Sequence, residues 1–158
     1  MQNAFKKNRT FATPKITTEL TMVFPVPAQK YIPQRPPIVM IDNILENHPD
    51  RFVTDFVIRA DNVFVENNLF REAGMMENIA QTCAARIGFC SADESVPIGV
   101  IGGITDFMLR RNPQVGETLT TSIGVVADMG AALVVAAEVF VNEELVATCS
   151  MKVFISQE

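Results

Sequence analysis

Apolar and polar positions change their spacing several times along this 158-residue chain, and each change marks an element. From Leu145 to Ile155 the alternation is strict. Ala147, Cys149, Met151, Val153 and Ile155 point one way and Thr148, Ser150 and Lys152 the other, the two-residue repeat of a half-buried strand. Arg51 to Arg59 follows the same rule, with Phe52, Phe56 and Ile58 on one face and Arg51, Asp55 and Arg59 on the other. Ile38 to Leu45 reads as a buried strand, and the turn formers of Glu46-Asn47-His48-Pro49-Asp50 join the two as an antiparallel hairpin. Further strands are predicted over Pro97 to Arg111, Glu117 to Ala127 and Ala131 to Asn142. The stretch from Gly74 to Ser91 is different: apolar, rich in small residues and helical, with Gly74 as a permissible N-cap. Ala80, Ala84, Ala85 and Gly88 let a sheet approach the helix closely. Residues 60–73 read as irregular, and the prolines of Ile32-Pro33-Gln34-Arg35-Pro36-Pro37 make an extended lead-in.

Two strands, one long helix and about four more strands make an α+β domain. A parallel sheet would need helices between the later strands, and the pattern offers none, so the sheet is antiparallel with the helix on one face. The expected division is an N-terminal arm, residues 1–30, and one domain, residues 31–158. Such a sheet leaves an edge that pairing of subunits would protect, so a dimer is expected.

Composition narrows the function. With 48% hydrophobic residues the chain can bury a core, and a net charge of -5 argues against nucleic acid as a partner. One histidine, His48, and three cysteines with no C-x-x-C spacing argue against zinc; no metal and no cofactor are expected. The odd cysteine count fits a reduced compartment, and Cys83 and Cys90, seven apart on one helix face, read as small core residues. The longest run free of polar side chains, Met129 to Ala137, is too short to span a bilayer, and no apolar segment follows the basic Lys6, Lys7 and Arg9. The expected location is the cytoplasm, without a membrane partner.

The candidate chemistry centres on Glu77, a carboxylate near the start of the apolar helix. A helix N-terminus favours its ionised form by about 0.3–1 kcal/mol. Burial in an apolar slot favours the neutral form, by the larger margin where burial is complete, and would make Glu77 a proton donor. A solvent-facing carboxylate at a helix start is the competing reading. Gly74 and Met75 offer backbone N–H groups that suit a developing oxyanion. Asp106, among apolar residues, is expected to pair with a neighbouring charge; Arg110 and Arg111 are either a solvated pair or a contact for an acidic protein.

Three stretches, in order, resemble the hot-dog fold of the 3-hydroxyacyl-acyl carrier protein dehydratases. Ile32-Pro33-Gln34-Arg35-Pro36-Pro37-Ile38 is similar to the family's Pro-His-Arg-x-Pro, and Glu77-Asn78-Ile79-Ala80-Gln81 to the Glu-x-x-Ala-Gln of its central helix. The stretch from Gly103 to Glu117, closing on Pro113-Gln114-Val115-Gly116-Glu117, is similar to the family's strand and turn ending in Pro-x-x-Pro-Gly-Asp. The resemblance, over roughly residues 30–156, implies about six strands wrapped round one long helix, and Glu77 as the acid that handles the departing hydroxyl. It also implies an acyl thioester, on acyl carrier protein or CoA, held through its carbonyl by Gly74 and Met75, with Met76, Gln81, Ile101 and Gly102 along the acyl chain. The family's catalytic His, within Gly-His-Phe-Pro, is not matched: Asn68 stands in its place, and an amide does not accept a proton at neutral pH. Ala80-Gln81-Thr82-Cys83-Ala84-Ala85 is similar to relatives in aryl polyene and related pathways. The missing imidazole leaves three readings: a dehydratase-like protein using Glu77, a hot-dog thioesterase using Glu77 with Asn68 and the helix N–H groups but no His, and a non-catalytic subunit paired with an active homologue, as a homodimer or hetero-oligomer.

Overall fold

In chain order the computed structural model, which describes residues 22–91 and 96–156, contains β1 (Val26–Pro27), a 3-10 turn (Ala28–Tyr31), β2 (Asn43–Asn47), β3 (Arg51–Val57), β4 (Val65–Glu66), β5 (Leu69–Phe70), α1 (Glu72–Cys90), β6 (Gly99–Leu109), β7 (Thr118–Asp128), β8 (Ala132–Val141) and β9 (Glu144–Ile155). Seven strands form one antiparallel sheet in the order β1-β2-β3-β7-β8-β9-β6, and β4 and β5 form a separate hairpin. The main sheet has one strand more than expected, the two-residue β1. Of the expected arm, residues 1–21 lie outside the described residues; Val26 and Ala28 are buried in the core.

The inward faces follow the two-residue repeat. Phe52 and Phe56 of β3, Leu119 and Ile123 of β7, Val135, Ala137 and Val139 of β8, and Ala147, Cys149, Met151 and Val153 of β9 close on the helix. The helix answers with Met75, Ile79 and Cys83, one row of four-residue steps, all fully buried. Gly88 takes the closest approach: a Cβ there would run into the backbone carbonyl oxygen of Tyr31 in the 3-10 turn. No described helix is long and apolar enough to cross a membrane.

Three local expectations change. Residues 38–42 are not a sheet strand: Ile38 C=O and both backbone groups of Met40 are bonded by side chains of the helix, as described below, while Asp42 bonds the backbone of Ala28 and Asp55. The supposedly irregular stretch 60–73 contains the β4–β5 hairpin, turned by Asn67 (φ 51) and Asn68 (φ 64), the two positive-φ residues of a tight two-residue turn. Cys90 shares the helix face of Cys83 but is exposed, as the last residue of α1.

Candidate functional site

Helix α1 starts at Glu72, two residues before the expected N-cap, with Arg71 as the capping position. The shift matters for the backbone donors. Met75 N–H already donates to Arg71 C=O at 3.1 Å, so it is not free for a ligand. The N–H groups of Glu72, Ala73 and Gly74 remain without an intrahelical acceptor, as geometry requires of a first turn. Gly74 is buried under the β4–β5 hairpin: a Cβ there would lie 2.5 Å from the Phe70 ring and 2.6 Å from Phe64.

Glu77 stands half-buried one turn further on, and its carboxylate is held. Gln81 Nε2 donates to Glu77 Oε1 at 2.7 Å and to Ile38 C=O at 2.7 Å, while Gln81 Oε1 accepts Met40 N–H at 2.7 Å. Gln81 itself is fully buried, and its bond to Met40 N–H is made out of water, while those to Glu77 and Ile38 reach toward the surface. Beside it runs a second buried relay. Thr121 donates to Asn78 Oδ1 at 2.5 Å, and Asn78 Nδ2 donates to Met40 C=O at 2.7 Å. Thr82 gives its proton to Asn78 C=O at 2.9 Å, so Thr54, 2.8 Å from Thr82, is the donor of that pair. The buried polar side chains Thr54, Asn78, Gln81, Thr82 and Thr121 are thereby all bonded. Thr82 falls in the Ala80–Ala85 motif, but no motif singles out Asn78, a variable position of the Glu77–Gln81 motif, or Thr121. Beyond that, the signal is only that Asn78 and Thr82 are polar residues on the sheet-facing side of an apolar helix.

The opposite side of the helix is left uncovered by its own sheet. Ala73 is exposed, and Met76, Glu77, Ala80, Ala84 and Ile87 are half-buried, at the three- and four-residue steps of one stripe. Next to this stripe the sheet ends in β6, paired among the described residues only to β9 and running back from the Ile87 end of the helix, which Gly99 approaches. Val100, Ile101 and Met108 of this edge strand are exposed, and Gly102 lies beneath the Phe154 ring. The structure therefore joins Glu77 and Gln81 directly and puts Met76 on their stripe, but sets Ile101 and Gly102 on the neighbouring edge. Three clefts of about 350, 560 and 260 Å³ lie elsewhere, and Glu77 lines none of them.

Asn68 is an exposed turn residue whose C=O accepts Val115 N–H at 3.1 Å. His48 is exposed in the β2–β3 turn, where Arg86 binds its carbonyl at 3.0 Å. Arg86 is nine residues, about 14 Å along the axis, from Glu77. Asp106 is exposed at a bulge of β6 (φ 53) and makes no ion pair among the described residues, contrary to expectation. Arg110 is exposed, whereas Arg111 is held between Glu117 and Glu144, each 2.8 Å away. Cys83 and Cys149 carry thiols that burial pushes up to about 12 and about 11, so neither is a nucleophile near neutral pH.

An antiparallel sheet curled round one helix that presents a carboxylate near its N-terminus is a hot-dog domain. A family model described as ApeP-like, ApeP dehydratase, matches residues 26–158, and the chain belongs to that family. Its fold is similar to the dehydratase heterocomplex ApeI:P from Xenorhabdus doucetiae, with a TM-score of 0.76 at 14% identity over 84% of this chain and 93% of that one. It is also similar to smu.793 from Streptococcus mutans UA159 bound to acetyl CoA, with a TM-score of 0.59 at 13% identity over 73% and 88% of the two chains. A hypothetical thioesterase with coenzyme A from Streptococcus pneumoniae TIGR4 gives 0.60 at 11% identity over 73% and 85%. At these identities the likeness is one of fold. No curated protein matches the sequence.

Proposed function

We propose that this chain is the acid-bearing subunit of a hot-dog assembly that dehydrates 3-hydroxyacyl thioesters carried on acyl carrier protein or CoA. The observation that carries this reading is the Glu77–Gln81 pair: a half-buried carboxylate, held through one oxygen by a fully buried amide, at the border of an uncovered apolar stripe. Dehydration needs a base for the proton beside the thioester carbonyl and an acid for the hydroxyl that leaves as water. Glu77 Oε2 takes the second role, since Oε1 already accepts from Gln81. The first-turn N–H groups, Gly74 among them, polarise the carbonyl.

The base comes from elsewhere. His48 is the one imidazole of the chain and is held at the far end of the helix. Asn68 cannot accept the proton. A second hot-dog subunit, docked along the free side of β6 and over the stripe, would supply it and cover Met76, Ala80 and Ala84. The ApeI:P heterocomplex, a dehydratase of two named components, is consistent with an unlike partner.

Enoyl thioester formation from a 3-hydroxyacyl carrier protein, measured for the chain alone and with co-purified partners, tests the reading. Glu77→Gln is expected to lower turnover by about 10²–10⁴-fold. Enoyl product formed at the same rate by Glu77→Gln would reject it, and release of free thiol without enoyl product would assign the thioesterase chemistry instead.

A further inference from the structure

Arg111 makes two forked contacts at once. It donates to both oxygens of Glu117, from Nη1 at 2.8 Å and Nη2 at 3.1 Å. It also donates to both oxygens of Glu144, from Nε at 3.0 and 3.1 Å and from Nη2 at 2.8 Å. Glu117 immediately precedes β7 and Glu144 opens β9, so the cluster ties the loop after β6 to two other strands. Forked, charge-assisted bonds fix direction as well as distance.

The consequence reaches the helix. Glu117 Oε2 also accepts Gln114 N–H at 2.6 Å, shaping residues 112–117. That loop then lies along the β4–β5 hairpin, joined to it by an isolated antiparallel bridge. Pro113 C=O accepts Phe70 N–H at 2.7 Å, Asn68 C=O accepts Val115 N–H at 3.1 Å, and Asn112 Nδ2 donates to Phe70 C=O at 2.9 Å. Gln114 bridges Leu69 as well. Phe70 is fully buried and its ring sits where a side chain at Gly74 would be, so the hairpin sets where the first turn of α1 lies.

We infer that Arg111 is a positioning residue for the helix start: through Glu117, Glu144 and the 112–115 loop it fixes the hairpin against which the first turn, and with it Gly74 and Glu77, is seated. The link to turnover rests on the function proposed above; the link to geometry does not.

Amide hydrogen exchange and kinetics together test it. In Arg111→Met, exchange at Phe70 and Val115 is expected to speed by at least about tenfold while Ile123 in the central strand keeps its rate. With an active assembly, kcat falls and KM holds, and Arg111→Lys recovers part of both effects. Glu144→Gln, at an exposed position, removes one fork without endangering the fold and is expected to shift the same two amides. Unchanged exchange at Phe70 and Val115 in both Arg111→Met and Glu144→Gln would overturn the inference, as would a uniform rise at all amides. Local loosening in a protein that forms no enoyl product would leave the positioning intact and reject the dehydratase reading.

Discussion

Gln81 and Glu77, one helical turn apart, share a 2.7 Å hydrogen bond whose direction is not interchangeable. Met40 N–H can only donate, so the oxygen of the Gln81 amide must face it and the nitrogen must face Glu77. Glu77 therefore accepts at Oε1, and any proton it carries or delivers belongs to Oε2. Gln81 also binds Ile38 C=O, which makes the extended segment 38–40 part of the same unit as the carboxylate. One buried side chain thus connects the lead-in, the helix and the candidate acid.

Removal of that side chain is expected to be costly. Gln81→Leu strands the buried Met40 N–H, at about 1–3 kcal/mol, whereas Ile38 C=O, on an exposed residue, loses a donor that water can replace. A loss of about 1–3 kcal/mol in urea unfolding, with an unchanged denaturant slope, is the expected result. Glu77→Gln keeps an acceptor for Gln81 at a half-buried position and is expected to cost less than about 1 kcal/mol. Equal losses for the two variants would show that the clamp contributes nothing to the fold.

Gly88→Ala is expected to go against helix propensity. In an open helix the change would gain about 1 kcal/mol. Here the added methyl meets Tyr31 backbone, which has no rotamer by which to move aside, and a loss of about 1–3 kcal/mol is expected instead. Gly103→Ala is the control: nothing lies within 4 Å of a Cβ there, and its melting temperature should stay near that of the wild type or rise. Thermal melts of the two variants decide; stabilisation by Gly88→Ala would mean that the 3-10 turn does not pack as described.

Strands β7, β8 and β9 were legible because each buries one face, so the two-residue repeat survives in the sequence: Ala147, Cys149, Met151 and Val153 face the core as expected. The helix was legible in its apolar run and its ends nearly so. Residues 38–40 misled for a definite reason. A segment whose backbone is bonded by Gln81 and Asn78 side chains needs the same apolar, extended sequence as one bonded by another strand. The β4–β5 hairpin is short, and its sign, Asn67-Asn68 between Val65 and Leu69, is weaker than an Asn-Gly turn. Of the candidate site, Glu77 and Gln81 could be found by motif. The donors Met40 and Thr121 could not, since both lie about forty residues away in sequence and meet the helix only on folding.

The cysteines should divide two to one in reactivity. Cys83 and Cys149 are buried with thiols raised chiefly by desolvation, and Cys90 is exposed at the helix end. Titration of the native protein with a chromogenic disulfide is expected to give one fast thiol, lost in Cys90→Ser, and two that appear only on unfolding. Fast reaction of a second thiol would contradict the burial of the helix against β9.

The Arg111 cluster predicts how the fold responds to acid. Hydrogen bonds from Arg111 hold the carboxyl of Glu117 below the usual glutamate range, against desolvation that raises it, and do the same for Glu144. A carboxylate whose folded value is depressed contributes stability that is present above its unfolded value, about 4.3, and is lost as pH falls through the folded one. The Arg111 guanidinium is raised rather than lowered, so it stays charged throughout and adds no slope of its own in this window. The wild-type melting temperature should therefore fall between about pH 4.5 and pH 3 more steeply than that of Arg111→Met, in which neither carboxylate has its partner. High salt should narrow the gap, because Glu144 is exposed and its share of the attraction is screened. Melts of the two proteins across that range are the check. Parallel curves would mean that the forked contacts around Arg111 do not form in solution, and the coupling from the loop to the helix start would lose its anchor.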